Sequence, residues 1–91
     1  MNTCAHIVIS GMVQGVGYRY FVCKNARKME LTGWVKNLMS GEVEIEVEGP
    51  KGFVEAFIQD LWTGNAWATV RNVEVNWEEY RGKYNGFDIT F

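Results

Sequence analysis

The sequence predicts an α+β fold in which two helices cover one face of an antiparallel sheet. Segments with alternating apolar and polar residues, typical of strands, surround two longer segments in which apolar residues recur at helical spacing. The predicted order is strand, helix, strand, strand, helix, strand, followed by a short terminal strand. This βαββαβ order is that of the split βαβ, or ferredoxin-like, sandwich.

The first strand and the first helix are predicted on either side of a glycine-rich stretch. The strand "AHIVISG", residues 5–11, has Ile7 and Ile9 on one face and His6, Val8 and Ser10 on the other. Apolar residues on both faces indicate a central position in the sheet. The helix is predicted from Arg19 to Glu30, with an apolar face formed by Val22, Ala26 and Met29.

A hairpin is predicted next. Its strands are "TGWVKNL", residues 32–38, and "EVEIEVEG", residues 42–49, joined by the turn "MSG". Strict alternation predicts that Val43, Ile45 and Val47 face the core. The same alternation predicts that a row of carboxylates faces solvent: Glu42, Glu44, Glu46 and Glu48.

The second helix is predicted to begin near Pro50 and to end at Gly64, a plausible C-terminal cap. Its expected core face consists of Val54, Phe57, Ile58, Leu61 and Trp62. The last two strands are predicted in "TVRNVEVNW" and "GFDITF", separated by the polar segment "EEYRGKYN".

Composition limits the possible functions. A length of 91 residues predicts a single domain, residues 1–91, and 47 % hydrophobic residues are enough to form a core. A net charge of -2 without any basic run argues against nucleic-acid binding, and "EVEIEVE" lacks the exposed aromatic and basic residues of an RNA-recognition strand. Without a long apolar run or a basic leader, we expect no membrane role and a cytoplasmic location.

Two cysteines, Cys4 and Cys23, are too few for a disulfide framework, and they do not form a CxxC pair. We expect both to be buried small side chains or idle thiols. The alternative, a redox-sensitive thiol at Cys4, has no support in the sequence.

The stretch "GMVQGVGYRY", residues 11–20, has the features of an anion site. Glycines let the backbone approach a ligand closely, and a helix N-terminus presents free N–H groups to an oxyanion. An arginine adds paired donors for two phosphate oxygens, so Gly15, Gly17 and Arg19 fit such a site together. The spacing matches neither a nucleotide P-loop nor a dinucleotide fingerprint. The alternative is that the glycines only shape a tight loop and that Arg19 is a solvated charge.

The segment "GMVQGVGYR" resembles the phosphate-binding signature of the acylphosphatases, which hydrolyse carboxyl phosphate anhydrides. A second signature, "GWVKN" followed by "GEVE" and Gly49, lies at the expected distance, so the resemblance covers essentially the whole chain. It implies that Arg19 is the phosphate-binding catalytic arginine and that Asn37 orients the attacking water. It also implies a backbone cradle for the phosphate formed by Gln14, Gly15, Val16, Gly17 and Tyr18. The chain departs from the usual family pattern at Met12, Tyr18 and Asn65.

The resemblance implies a small acyl phosphate as the substrate, with inorganic phosphate or sulfate as product or inhibitor. A carboxylate leaves easily, so no general acid is needed, and His6 is expected to be a surface or packing residue. We expect neither a metal nor a cofactor, and a monomer. Without the resemblance, Asn37 would be read as a polar residue at a strand end. A non-catalytic domain that binds phosphate or carbamoyl phosphate is the alternative function, but an asparagine that orients water favours catalysis.

Overall fold

A computed structural model describes residues 1–91. The elements follow the predicted order: β1 (Asn2–Met12), α1 (Tyr18–Lys28), β2 (Thr32–Asn37), β3 (Val43–Pro50), α2 (Lys51–Thr63), β4 (Thr69–Glu78) and β5 (Phe87–Thr90). Neither helix has the length and apolar character needed to cross a membrane.

The five strands form one sheet in the order β4-β1-β3-β2-β5. Strand β1 lies between β3 and β4 and pairs with both in antiparallel fashion, which confirms its internal position. Strands β2 and β3 form the predicted antiparallel hairpin. Strand β5 runs parallel to β2, with Gly33 opposite Phe87, a pairing that the sequence did not indicate. The fold is the predicted ferredoxin-like sandwich with one added edge strand.

Both helices pack on one face of the sheet over a single cluster of 19 buried residues. Val22 and Ala26 of α1 are fully buried, as predicted. Helix α1 ends at Lys28 rather than at Glu30, because Met29 caps it and Glu30 adopts a left-handed φ of 58°.

The core face of α2 is as predicted except at its last turn. Four of the five expected side chains are buried: Val54, Phe57, Ile58 and Leu61. Trp62 is 45 % exposed, so its assignment to the core was wrong. The core-facing stripe runs through Leu61, and Ile58 already lies at its edge, so Trp62 points beyond the stripe. Gly64 is the C-cap, as predicted.

The carboxylates of β3 do not form a solvated row, which corrects the prediction for this face. Glu48 is 1 % exposed, and its carboxylate accepts hydrogen bonds from the backbone N–H groups of Arg81 (3.0 Å) and Lys83 (3.2 Å). Glu46 accepts a hydrogen bond from the Tyr84 hydroxyl. The segment between β4 and β5 therefore crosses this face and uses the carboxylates as anchors.

Glu44 and Glu42, the other two glutamates of the row, are half-buried. Glu44 pairs with His6 (2.7 Å) and Lys36 (3.7 Å), and Glu42 accepts a hydrogen bond from the Ser40 hydroxyl just before β3 begins. His6 is thus a packing residue on the sheet face opposite the helices, one of the two roles expected for it.

Both cysteines are free and buried, as predicted. Burial, together with the nearby carboxylates of Glu46, Glu48 and Glu78, raises the pKa of the Cys4 thiol to about 11. A thiol that remains protonated at neutral pH is a poor nucleophile. The alternative redox role for Cys4 gains no support.

Candidate active site

A short loop carries the chain from β1 into α1. Gly15 and Gly17 both adopt left-handed backbone conformations, with φ of 75° and 76°, which a side chain would disfavour. Gly17 is also the N-cap of α1. These two glycines let the backbone fold back tightly in front of the helix N-terminus.

This turn leaves a set of unused donors. The backbone N–H groups of residues 15–19 take part in none of the loop or turn hydrogen bonds, and no side chain caps α1. No acidic residue lies in the first turn of the helix. Free N–H groups at the positive end of a helix dipole favour an anion, so the loop can hold an oxyanion.

Arg19 lies in the first turn of α1, half-buried. Its Nη1 donates a hydrogen bond to the carbonyl oxygen of Thr90 at 3.0 Å, and its guanidinium lies 4.8 Å from the centre of the Phe91 ring. One donor is thereby committed to holding the side chain in place. The remaining N–H groups of the fork are available to an anion beside the loop.

Asn37 is the last residue of β2. Its Oδ1 is buried and accepts no hydrogen bond from the protein. A buried amide oxygen without a donor costs free energy, on the order of 1 to 3 kcal/mol, so such an atom marks a position that an external donor can satisfy.

The loop, Arg19 and Asn37 border one cavity of about 240 Å³. Its lining consists of Val13, Gly15, Gly17, Tyr18, Arg19, Tyr20, Asn37, Ile89 and Phe91. The structure therefore brings five of the predicted site residues to one place, and Arg19 is the cation among them. The lining contains no carboxylate, histidine or cysteine, the side chains that usually hold a metal ion.

Gln14 and Val16, both predicted to bind phosphate, do not line this cavity. The Gln14 Nε2 donates to the carbonyl oxygens of Leu38 (2.7 Å) and Glu42 (2.8 Å), so its side chain ties the loop to the β2–β3 turn. The Val16 carbonyl oxygen accepts a hydrogen bond from Asn65. Any contribution of these two residues to anion binding comes from the backbone.

Tyr18 borders the cavity, but its hydroxyl is used elsewhere in the fold. The residue is 1 % exposed, and its hydroxyl donates to the carbonyl oxygen of Leu61 at 2.8 Å. Burial raises the pKa of this hydroxyl well above its ordinary value. Tyrosine at this position therefore links the two helices and supplies no acid or base at the site.

Sequence reasoning missed several residues around the cavity, among them Tyr20, Ile89 and Phe91. Strand β5 brings Ile89 and Phe91 to the site because it runs parallel to β2, and no local pattern reports that pairing. Tyr20 falls on the polar side of the predicted helix, and it is 68 % exposed. A large exposed aromatic residue next to Arg19 was the one signal that could have indicated it.

Comparison with known proteins gives a consistent result. The family model described as acylphosphatase matches residues 5–89. An acylphosphatase of Moorella thermoacetica is 48 % identical over 79 residues, 87 % of this chain and 85 % of that protein. An acylphosphatase of Caldanaerobacter subterraneus subsp. tengcongensis is 43 % identical over 89 residues, 98 % and 99 % of the two chains. The crystal structure of acylphosphatase from Bacillus subtilis superposes with a TM-score of 0.95 at 36 % identity, covering 100 % of both chains.

Proposed function

This chain belongs to the acylphosphatase family and is an acylphosphatase, and we propose that it cleaves the carboxyl phosphate bond with Arg19 and Asn37 as its catalytic residues. In this proposal the loop before α1 and the Arg19 side chain hold the phosphoryl group, and Asn37 holds the water that attacks it. The geometry of the cavity supports each of these roles.

The phosphoryl group is placed against the N–H groups of residues 15–19, which lack acceptors within the protein. Phosphoryl transfer spreads negative charge over the equatorial oxygens, and fixed donors stabilise that charge without reorganising. Arg19 adds a full positive charge and paired donors, while its bond to Thr90 prevents the guanidinium from swinging into solvent.

The buried, unpaired Oδ1 of Asn37 is the observation that carries the proposal. An acceptor in this position can receive a hydrogen bond from a water molecule and hold the oxygen of that water toward phosphorus. Holding the two reactants in line lowers the entropic part of the barrier, a contribution of several kcal/mol in well-ordered sites. An amide cannot take up the proton, so the role of Asn37 is positional.

The reaction needs little else. The water oxygen bonds to phosphorus, the bond from phosphorus to the bridging oxygen breaks, and the electron pair leaves with the carboxylate. The proton of the water passes to the phosphate product or to solvent. Because a carboxylic acid has a pKa of about 4, the leaving group needs no protonation at neutral pH. This agrees with a cavity whose lining has no carboxylate, histidine or cysteine side chain.

Two variants test the assignment with benzoyl phosphate as substrate. Asn37→Ala is expected to lower kcat by more than about tenfold, a loss above about 1.4 kcal/mol. Its inhibition constant for inorganic phosphate should stay near wild type, because water and not phosphate is the partner of Asn37. Arg19→Ala is expected to weaken phosphate inhibition and to lower kcat together, since the guanidinium contacts phosphate throughout the reaction.

Asn72→Ala, an exposed asparagine of β4, is the matched control and should leave both constants unchanged. An Asn37→Ala enzyme that retains more than about a tenth of the wild-type kcat would show that the water-orienting role is wrong. Phosphate and sulfate should inhibit competitively, and EDTA should have no effect. Loss of activity in EDTA and recovery with magnesium would contradict the metal-free mechanism.

We propose in addition that residues 1–91 act as one domain, as a monomer and in the cytoplasm, without binding nucleic acid. One contiguous buried cluster supports a single domain. A net charge of -2 argues against nucleic-acid binding. Two cysteines that are free and unpaired are typical of a reducing compartment.

A further inference from the structure

We propose that Asn65 is a positioning residue for the phosphate site, and that it orients the Val16–Gly17 peptide so that the Gly17 N–H points at the bound anion. This inference rests on the proposed cradle formed by residues 15–19. It concerns a residue outside the cavity lining, which acts through the loop and does not touch the substrate.

Asn65 is held firmly by its own turn. It follows Gly64, the C-cap of α2, and its Oδ1 accepts hydrogen bonds from the backbone N–H groups of Trp67 (3.1 Å) and Ala68 (2.8 Å). Two bonds to one oxygen fix the plane of the carboxamide. They leave the Nδ2 donor pointing in a set direction, away from the turn.

That donor reaches the loop between β1 and α1, which forms the proposed phosphate cradle. The Asn65 Nδ2 donates to the carbonyl oxygen of Val16 at 2.8 Å, across 49 positions of the chain. A Cβ built on Gly17 would lie 3.7 Å from the same nitrogen, so Asn65 packs directly against this part of the loop. No other side chain hydrogen bond reaches the backbone of residues 15–17.

Peptide geometry converts this bond into a direction for the next N–H group. No peptide bond in the chain is cis. In a planar trans peptide the C=O and the following N–H point in opposite directions, so the Gly17 N–H points away from Asn65. Gly17 lines the cavity and Asn65 does not, which places the N–H on the cavity side of the loop.

Glycine makes such a restraint necessary. Because Gly17 accepts positive and negative φ with little difference in free energy, the Val16–Gly17 peptide can flip at small cost. A flipped peptide would present the Val16 carbonyl oxygen to the anion in place of an N–H donor. The Asn65 bond selects the orientation that favours anion binding.

The test uses two substitutions that retain an acceptor for the Trp67 and Ala68 N–H groups but lack the Nδ2 donor. Asn65→Asp keeps the shape of the side chain and adds a charge, and Asn65→Ser is neutral but too short to reach Val16. We expect both to raise the inhibition constant of inorganic phosphate by at least fivefold. Titration of 15N-labelled protein with phosphate should shift the Gly17 amide proton strongly in wild type and much less in both variants.

Asn25 offers a matched control, because its Nδ2 donates to the Phe21 carbonyl oxygen at the same distance of 2.8 Å, within α1 and outside the cavity lining. Asn25→Ser should leave phosphate inhibition and the Gly17 shift as in wild type. A general loss of stability would change phosphate inhibition in Asn25→Ser as well as in Asn65→Ser. A positioning role changes it only in the variants at Asn65.

Two results would overturn the inference. One is an Asn65→Ser protein whose phosphate inhibition and Gly17 shift lie within twofold of wild type. The other is an effect confined to Asn65→Asp, which would assign it to the added charge. If phosphate does not shift Gly17 in wild type either, the proposed cradle itself fails, a result distinct from failure of Asn65 alone.

Discussion

The guanidinium of Arg19 donates a hydrogen bond to the backbone carbonyl oxygen of Thr90 at 3.0 Å, joining positions 71 residues apart. Thr90 ends β5, the edge strand that pairs with β2 in parallel fashion, and β2 carries Asn37 at its own end. The β2–β5 pair therefore fixes the position of Arg19 relative to Asn37, the other proposed catalytic residue. Changes to either strand should affect both.

Arg19→Lys tests whether the geometry of the guanidinium matters beyond its charge. Lysine keeps the positive charge but gathers its donors on one nitrogen, so it lacks the planar fork that can bond Thr90 on one side and pair with two phosphate oxygens on the other. We expect kcat/KM for benzoyl phosphate to fall at least about tenfold, the equivalent of about 1.4 kcal/mol. A lysine variant of nearly full activity would show that charge alone is needed at this position.

Phe91→Ala tests the contact beneath Arg19. The ring centre lies 4.8 Å from the guanidinium, and an exposed cation–π contact contributes about 0.5 to 1 kcal/mol. Its loss should weaken phosphate inhibition by roughly two- to fivefold, because the arginine becomes less ordered. The control is Trp77→Ala, which removes a similar contact with Lys51 (5.6 Å) and should not change inhibition. Equal effects of both substitutions would argue against a role specific to the site.

Gln14→Ala tests the bond between the phosphate loop and the β2–β3 turn. It leaves the carbonyl oxygens of Leu38 and Glu42 without their side-chain donor, which should destabilise the fold by about 1 to 3 kcal/mol. Because Leu38 directly follows Asn37, we also expect kcat to fall. Urea unfolding and benzoyl phosphate kinetics measure the two effects. Gln59→Ala, on the exposed face of α2, should change neither stability nor kcat. An unchanged kcat in Gln14→Ala would show that the bond between the loop and the β2–β3 turn does not contribute to catalysis.

Cys4 should make the fold less stable in alkaline solution. The folded thiol keeps its proton up to a pKa of about 11, whereas the unfolded thiol ionises near its ordinary value of 9.0. Between these values the unfolded state binds fewer protons, so the free energy of unfolding falls as pH rises, by at most about 1.4 kcal/mol per pH unit for this group. Below pH 9 the contribution is fully present. Urea unfolding from pH 8 to 11 should show a shallower decline in Cys4→Ala, and parallel curves would contradict the assignment.

Much of the fold was predictable because its signals are local. The alternation of Val43, Ile45 and Val47 marks one buried face of a strand whatever the strand pairs with, and all three are fully buried. The loop between β1 and α1 was predictable as an anion site for the same reason. Gly15, Gly17 and Arg19 lie within five consecutive residues, so the sequence itself shows both the backbone freedom and the positive charge. The family resemblance added Asn37, which lines the same cavity.

Tertiary structure decided the features that join distant parts of the chain. Glu48 looks like one more solvent-facing carboxylate in an alternating strand, but it becomes an anchor because the backbone of Arg81, 33 positions away, crosses over it. The contacts of Arg19 with Thr90 and of Asn65 with Val16 are of the same kind, and they span 71 and 49 positions. Local patterns report which face of an element is apolar. They do not report which backbone carbonyl or N–H will lie opposite a given polar side chain, because that depends on strand order, the parallel pairing of β5 and the paths of the loops.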